Sequence, residues 1–458
     1  MKVIVCGAGQ VGFSIASRLA AEQNDVTVID QSAQLIKRVS EQIDAQTIVG
    51  HASRPDVLAQ AGAKQADMII AVTFADEVNM MACQVAHSLF EVPTKIARVR
   101  SQEYLRPEWK GLFAREHLPI DVVISPEVEI AQAVTRRLIT PGAIDMIPFA
   151  DDKVRVVGIY IDEGCPIVDT PLRQLTELFP DLHIRIMGIF RSGVVRVPHG
   201  NEEVHIGDEV YFAVETPHME RAMRAFGHDE LAARRVVIIG GGNVGLFLAR
   251  QIEDEHRNVS IKLIEAQADR ATFIAGEVKR TIVIHGNALE REILDEANVG
   301  TAETVVAVTD NDEVNVLASL LAKHAGCRRA ITLVNNAAYP PLTSSLGIDV
   351  AVNPRAVTVS RVLHYVRRGR IRSVYSIRDG LAEVIEGEAV ETSPMAGSAL
   401  RDVKLPEGIV IGALVRDDQV LIPRGSTVIE AKDRVILLTP ANTVRNAEKL
   451  FSVRLEFF

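Results

Sequence analysis

Two glycine-rich turns, Gly7-Ala8-Gly9-Gln10-Val11-Gly12 and Gly240-Gly241-Gly242-Asn243-Val244-Gly245, each follow a short apolar run and open an apolar-periodic helix. Few folds accept such a turn. Its first glycine permits a tight strand-to-helix bend, its middle glycine lets backbone approach a diphosphate with no side chain between, and its last lets the helix pack on the strand. An acid then ends the next strand-like run in each half: Asp30 after Val26-Thr27-Val28-Ile29, and Glu265 after Lys262-Leu263-Ile264. One pattern found twice marks a duplicated chain.

The rest of the sequence repeats in step. Apolar runs at 3–6, 26–29, 46–49, 68–72, 95–99 and 122–124 alternate with helical patterns, and the series returns at 236–239, 261–264, 281–284, 304–308, 331–334 and 350–352. Six runs alternating with helices predict a doubly wound parallel sheet of Rossmann type, an α/β architecture. Ala71-Val72-Thr73 matches Ala307-Val308-Thr309, Asp76-Glu77-Val78-Asn79 matches Asp312-Glu313-Val314-Asn315, and Gly50 and Ala52 match Gly286 and Ala288. A smaller α+β segment follows each sheet, with β-rich runs around one short helix pattern. It too is duplicated: 166–173 parallels 394–401, Val197-Pro198-His199-Gly200 parallels Ile422-Pro423-Arg424-Gly425, and Gly207-Asp208 parallels Lys432-Asp433. The expected domains are 1–138, 139–226, 233–365 and 370–458, large and small in alternation.

Bulk properties narrow the function. A net charge of -10 and a pI near 5.7 argue against nucleic acid and anionic lipid as partners, since both select a positive surface. Cys6, Cys83, Cys165 and Cys327 are scattered without the spacing of a zinc site or disulfide scaffold, as expected of a cytosolic chain. The first glycine turn arrives too early for a signal peptide, and no run approaches the ~20 apolar residues of a membrane-spanning helix. A soluble protein is expected.

In each half a phosphate would face the helix N-terminus, where unpaired N–H groups and the helix dipole favour an anion. Asp30 suits the ribose hydroxyls of an adenosine and repels a 2′-phosphate, which favours NAD over NADP; Glu265 can do the same with a longer reach. Thr73-Phe74 and Thr309-Asp310 end the fourth strands near the switch point, where ligands bind in such sheets or where a strand simply gives way to a loop. The copies differ in charge: Arg98 and Arg100 correspond to Leu333 and Asn335, so only the first site is expected to offer guanidinium groups. That difference suggests ATP or ADP in the first site and NAD(H) in the second, unless Arg98 is a surface or interface ion-pair partner. His51 could stack on adenine or be a solvated loop residue; its counterpart is Asn287. The acid pairs Asp76-Glu77 and Asp312-Glu313 fit ordinary helix N-termini better than a metal site. The run 367–372, rich in arginine, reads as a hinge or helix end. No general acid or base stands out, since His183, His199 and His205 have no repeat in the second copy. The nucleotide therefore reads as a signal. The competing class is an NAD-dependent oxidoreductase or synthase of tandem Rossmann type; a redox-sensing transcriptional regulator lacks both the charge and a helix-turn-helix segment.

On residues 1–12, Asp30, the Asp76-Glu77-Val78-Asn79 element, Arg98 and the tandem plan, the chain resembles the regulator-of-potassium-conductance (RCK) family along its whole length. The resemblance implies two RCK N-domains of Rossmann type, each followed by an RCK C-domain. It implies a non-enzymatic regulatory subunit that binds NAD(H) and the adenine nucleotides ATP/ADP. Such a subunit assembles as a homo-oligomer, a dimer or tetramer ring, and docks from the cytoplasm on a membrane potassium-translocating subunit, peripheral to the inner face of the membrane. The implied nucleotide contacts in the first copy are Gly7, Ala8, Gly9, Gln10, Val11, Gly12, Asp30, Thr73, Phe74 and Arg98, with His51. In the second they are Gly240, Gly241, Gly242, Asn243, Val244, Gly245 and Glu265, with Asn287, Thr309 and Asp310. No metal ligand is implied.

Overall fold

The computed structural model describes residues 1–451 apart from 110, 179–181, 231, 337–338, 340–341, 343–345 and 367–370. The first sheet is built from β1 (Lys2–Cys6), β2 (Asp25–Asp30), β3 (Gln46–Val49), β4 (Met68–Ala71), β5 (Thr94–Arg98) and β6 (Val122–Ile124). The crossovers are α1 (Gln10–Ala21), α2 (Ala33–Gln42), α3 (Pro55–Gln60) and α4 (Asp76–Phe90), and α5 (Pro126–Ile139) leaves the sheet. All pairings are parallel in the order β3-β2-β1-β4-β5-β6. The unbroken apolar run of β1 is explained by burial on both faces: Val3 and Val5 enter one core, Ile4 and Cys6 the other.

An antiparallel module follows, made of β7 (Ala143–Phe149), β8 (Val154–Tyr160), α6 (Leu172–Leu178), β9 (Ile184–Arg191), β10 (Val194–Arg196), β11 (Glu209–Glu215) and α7 (Met219–Ala225). Its strand order is β10-β9-β11-β8-β7. The second half repeats the plan with β12 (Arg235–Ile239), α8 (Asn243–Glu255), β13 (Ser260–Glu265), α9 (Ala268–Glu277), β14 (Ile282–His285), α10 (Arg291–Glu296), β15 (Thr304–Ala307), α11 (Asp312–His324), β16 (Arg329–Leu333), β17 (Val350–Val352) and α12 (Pro354–Val366). These strands run β14-β13-β12-β15-β16-β17, again parallel. The last module contains β18 (Ile371–Ile377), β19 (Ala382–Glu388), β20 (Val410–Arg416), β21 (Gln419–Leu421), β22 (Arg434–Pro440) and α13 (Val444–Lys449). The single short helix expected of each small segment is incomplete. The first has α6 and α7, while in the second the counterpart of α6 shrinks to a 3-10 turn at Leu400–Asp402 and α13 lies near the end.

The two halves interpenetrate. Ile130, Ala131, Val134 and Leu138 of α5 are buried in the core of the second sheet, and Val362, Leu363 and Val366 of α12 in that of the first. The large modules thus exchange their final helices. The small modules pack face to face, with Phe149, Met187 and Tyr211 sharing a core with Val384, Val410 and Leu438. Gly412 lies at that contact, where an added Cβ would stand 2.5 Å from the Met187 sulfur and force the Met187 side chain to move. Of the arginine run, 367–370 lie outside the described residues, and Arg372 pairs with Glu388 at 2.7 Å.

Candidate functional site

The first glycine turn joins β1 to α1 and closes against the end of β4. Gly7 has φ +107°, and a Cβ there would lie 3.0 Å from the Thr73 nitrogen, so backbone strain and close approach both demand glycine. Gly12 meets the carbonyl of Gly7, which would stand 1.8 Å from an added Cβ. Gly9 is different. Its φ is -64° and an added Cβ would touch nothing within 4 Å, so neither backbone strain nor packing within the chain demands glycine there. No side chain caps the N-terminus of α1, leaving its first N–H groups, at exposed Gly9 and Gln10 and half-buried Val11, turned to that opening.

Asp30 has a structural role at the turn. One carboxylate oxygen accepts the Ala8 N–H at 2.7 Å and the other the Ser32 N–H at 2.8 Å, tying the glycine turn to β2. Each oxygen retains a second lone pair for a ligand hydroxyl. Thr73 is fixed by fully buried Asn79, whose side-chain oxygen accepts both the Thr73 N–H (2.8 Å) and hydroxyl (2.7 Å) and whose amide donates to the Thr73 and Arg98 carbonyls. Asn79 therefore holds the ends of β4 and β5 together. Phe74 is 84% exposed, with the Arg100 guanidinium 5.5 Å above its ring. His51 stays within its own loop, its Nδ1 2.8 Å from the Ser53 hydroxyl.

Arg98, at the end of β5, forms no ion pair or side-chain hydrogen bond among the described residues, and its Nε is buried without a partner. Burial and the neighbouring Arg100 charge push its pKa below the ordinary value. The alternative of a salt-bridge role within this chain is therefore not met. Arg100 has such a role, pairing with Glu127 at 3.2 Å.

The second pocket repeats the scaffold. Gly240 has φ +101°, a Cβ on Gly245 would fall 2.0 Å from the Gly240 carbonyl, Gly242 faces open space, and α8 has no side-chain cap. Glu265, buried, accepts the Gly241 N–H at 2.7 Å and the Gln267 N–H at 2.8 Å. Thr309 is held by Asn315 with the same contacts, the amide reaching the Leu333 carbonyl at 3.1 Å. Asn243, Asn287 and Asp310 are exposed and Val244 half-buried; the Asn287 side chain accepts the Leu289 N–H at 3.1 Å.

One expectation needs correction. The second site also carries a guanidinium, approaching from the opposite side: Arg270 on α9 donates from Nε to the Gly241 carbonyl at 2.8 Å and places Nη2 3.5 Å from the Asn243 side-chain oxygen. The charge difference at the fifth strand concerns one side of the turn only, whereas Arg270 belongs to a helix whose first-copy equivalent there is Leu35. In each acid pair the aspartate anchors the loop after the fifth strand: Asp76 accepts the N–H groups of Arg100 and Ser101, and Asp312 those of Asn335 and Asn336. Among the described residues no three His, Cys, Asp or Glu side chains are grouped to hold a metal. All four cysteines are buried, and burial pushes the Cys6 thiol up to about 12. A cleft of about 1270 Å³ lies elsewhere, between the second sheet's strand starts and the small modules. Its six arginines face seven carboxylates, so its charge selects no ligand.

Family comparison agrees with this geometry at the level of domains. The TrkA-N domain matches residues 3–126 and 236–354, and the TrkA-C domain matches 150–227 and 384–452. The chain belongs to the TrkA family. It is 52% identical to the Trk system potassium uptake protein TrkA of Azorhizobium caulinodans over 458 residues, covering all of both chains. The same-named protein of Halomonas elongata is 42% identical over 462 residues, again with full coverage. Among solved structures, the GsuK RCK domain superposes with a TM-score of 0.62 at 17% identity, covering 99% of this chain and 95% of that one. The GsuK channel bound to NAD gives 0.62 and 17%, covering 99% and 79%. These distant likenesses establish the fold: tandem parallel sheets, each followed by a small antiparallel module. TrkA proteins are regulatory and non-enzymatic, which sets aside the oxidoreductase reading. No helix among the described residues is long and apolar enough to cross a membrane.

Proposed function

We propose that this chain is the peripheral cytoplasmic subunit through which NAD(H) and adenine nucleotides gate a TrkH-like membrane potassium-translocating subunit. The observation that carries the reading is the pair of uncapped helix N-termini at Gly9 and Gly242, each beside open space and each tied to an acid at the end of the second strand. Such a constellation offers N–H groups to a diphosphate and a carboxylate to a ribose. A channel of the same fold has been solved bound to NAD, which supports the ligand class. In the first pocket the unpartnered Arg98 favours the more highly charged ATP or ADP, and the second pocket is left to NAD(H).

Gating follows from linkage: a nucleotide that fits one arrangement of the modules better shifts the population toward it. Exchange of α5 and α12 couples the two pockets mechanically within one chain. For assembly into a dimer or tetramer ring, α4 and α11 offer matching apolar residues: Met81 and Leu317, at equivalent repeat positions, are 49% and 50% exposed. The functional units are taken as 1–138, 139–226, 233–365 and 370–458.

Gly9→Ala and Gly242→Ala test the binding reading cleanly, because each added methyl enters open space and leaves the fold intact. In calorimetry on the full chain, each variant is expected to lose about tenfold or more in nucleotide affinity at one pocket with an unchanged thermal midpoint. Undiminished affinity in both variants would refute the assignment of the turns.

A further inference from the structure

Relative to the first pocket, the second has moved its positive charge to the other side of the glycine turn. On the β4–β5 side, Phe74, Arg98 and Arg100 give way to Asp310, Leu333 and Asn335, so two cations are lost and an exposed anion appears. On the α9 side, Leu35 gives way to Arg270. In the first copy Leu35 packs against the core, whereas Arg270 leans over the turn, Nε on the Gly241 carbonyl and the guanidinium 5.0 Å from the Phe273 ring centre. A guanidinium carries five donors. Arg270 spends one on Gly241 and brings another to the edge of contact with Asn243; it forms no ion pair among the described residues, and the nearby Glu265 carboxylate is tied to backbone N–H groups. A cation anchored on backbone with donors to spare, beside the uncapped N-terminus of α8, has its place at a phosphate.

We infer that Arg270 is the phosphate-holding, specificity-determining residue of the second pocket, which accepts adenosine diphosphate groups with an uncharged continuation and excludes nucleoside triphosphates. This rests on the nucleotide reading of the pockets given above. The fold supplies the reason for exclusion. Strand order places β12 between β13 and β15, as β1 lies between β2 and β4, so a ligand lying across the second turn has its adenosine end toward β13 and α9 and its distal end toward β15 and β16. A terminal phosphate directed there meets Arg98 and Arg100 in the first pocket but Asp310 in the second. A dinucleotide whose distal half carries no third phosphate escapes that repulsion.

Titration calorimetry on the full-length chain, with ATP, ADP and NADH as probes, tests this. Wild type is expected to bind one ATP per chain. Arg270→Leu, which installs the first-copy residue, should weaken NADH binding at one pocket by about tenfold or more while leaving the ATP isotherm unchanged. The double variant Asp310→Phe with Leu333→Arg should gain a second ATP per chain, a gain that damaged folding cannot mimic. Two equal ATP sites in wild type, or an NADH isotherm untouched by Arg270→Leu, would overturn the inference while leaving the nucleotide reading intact. A wild-type chain that binds none of the three probes would instead overturn the nucleotide reading and this inference with it.

Discussion

Arg98 and Asn79 sit a few ångströms apart in function but do opposite things for the fold. Arg98 has a buried Nε without a partner and a pKa lowered by burial and by Arg100, so its charged form is disfavoured in the folded chain. Its substitution removes a cost. Arg98→Leu is therefore expected to leave the thermal midpoint of the nucleotide-free protein unchanged or raised, while weakening ATP by about tenfold; a lowered midpoint would mean that the side chain is structural. Asn79 is the converse, fully buried and bonded to Thr73 and to the Arg98 carbonyl. Asn79→Ala orphans buried backbone groups and should cost about 1–3 kcal/mol in chemical denaturation, with nucleotide affinity lowered only through the loosened β4 and β5 ends. The glycines, Asp30 and Arg98 were legible in the sequence because their spacing relative to a strand end is local information. Asn79 and Arg270 were not, because their meaning lies in carbonyls that only the folded chain brings near: Arg98 for the one, Gly241 for the other.

The elements show the same division between local and distant information. Apolar periodicity and turn chemistry predict both six-stranded parallel sheets, since a buried parallel strand and an amphipathic crossover helix each carry their own pattern. The exchange of α5 and α12 left no such trace, because a helix with one apolar face reads identically whichever sheet it covers. Its consequence is measurable. Leu363 lies in α12 and is 2% exposed within the first sheet's core, so Leu363→Ala should cost about 2–4 kcal/mol and reduce amide protection in β1 and α1, far from it in sequence. Loss of protection confined to the second sheet would contradict the exchange. In the small modules the repeated Asp208 and Asp433 turns proved to be anchors for Arg191 and Arg416, each held through both carboxylate oxygens. Burial alone would raise the Asp208 pKa; the Arg191 guanidinium and the His205 N–H outweigh it and hold the carboxyl below its ordinary 3.8. A depressed folded-state pKa contributes stability that is present above the unfolded value and lost as pH falls through the folded one. Asp208→Asn should accordingly flatten the loss of stability below about pH 4 seen in acid titration.

At the scale of the whole molecule, one pair of exposed apolar residues repeats between the interlocked halves. Met81 on α4 and Leu317 on α11 occupy equivalent sites and are each about half exposed, and Leu321, one turn beyond Leu317, is 38% exposed. A net charge of -10 keeps separate copies apart, so an assembly needs such apolar contact to overcome repulsion. Since α4 and α11 begin where β4 and β15 end, beside Thr73 and Thr309, a nucleotide bound as proposed would have its distal end next to the start of both helices. Under the proposed function, oligomeric state and nucleotide occupancy are linked quantities, each shifting the other by the same free energy. The double variant Met81→Glu with Leu317→Glu alters only exposed positions, so its thermal midpoint should stay within about 0.5 kcal/mol of wild type in stability terms. Light scattering behind size exclusion should then show wild type as a multimer and the variant at a lower mass, with NADH shifting the mass of wild type alone. An unchanged mass would remove these faces from the assembly and, with them, the route from pocket to ring.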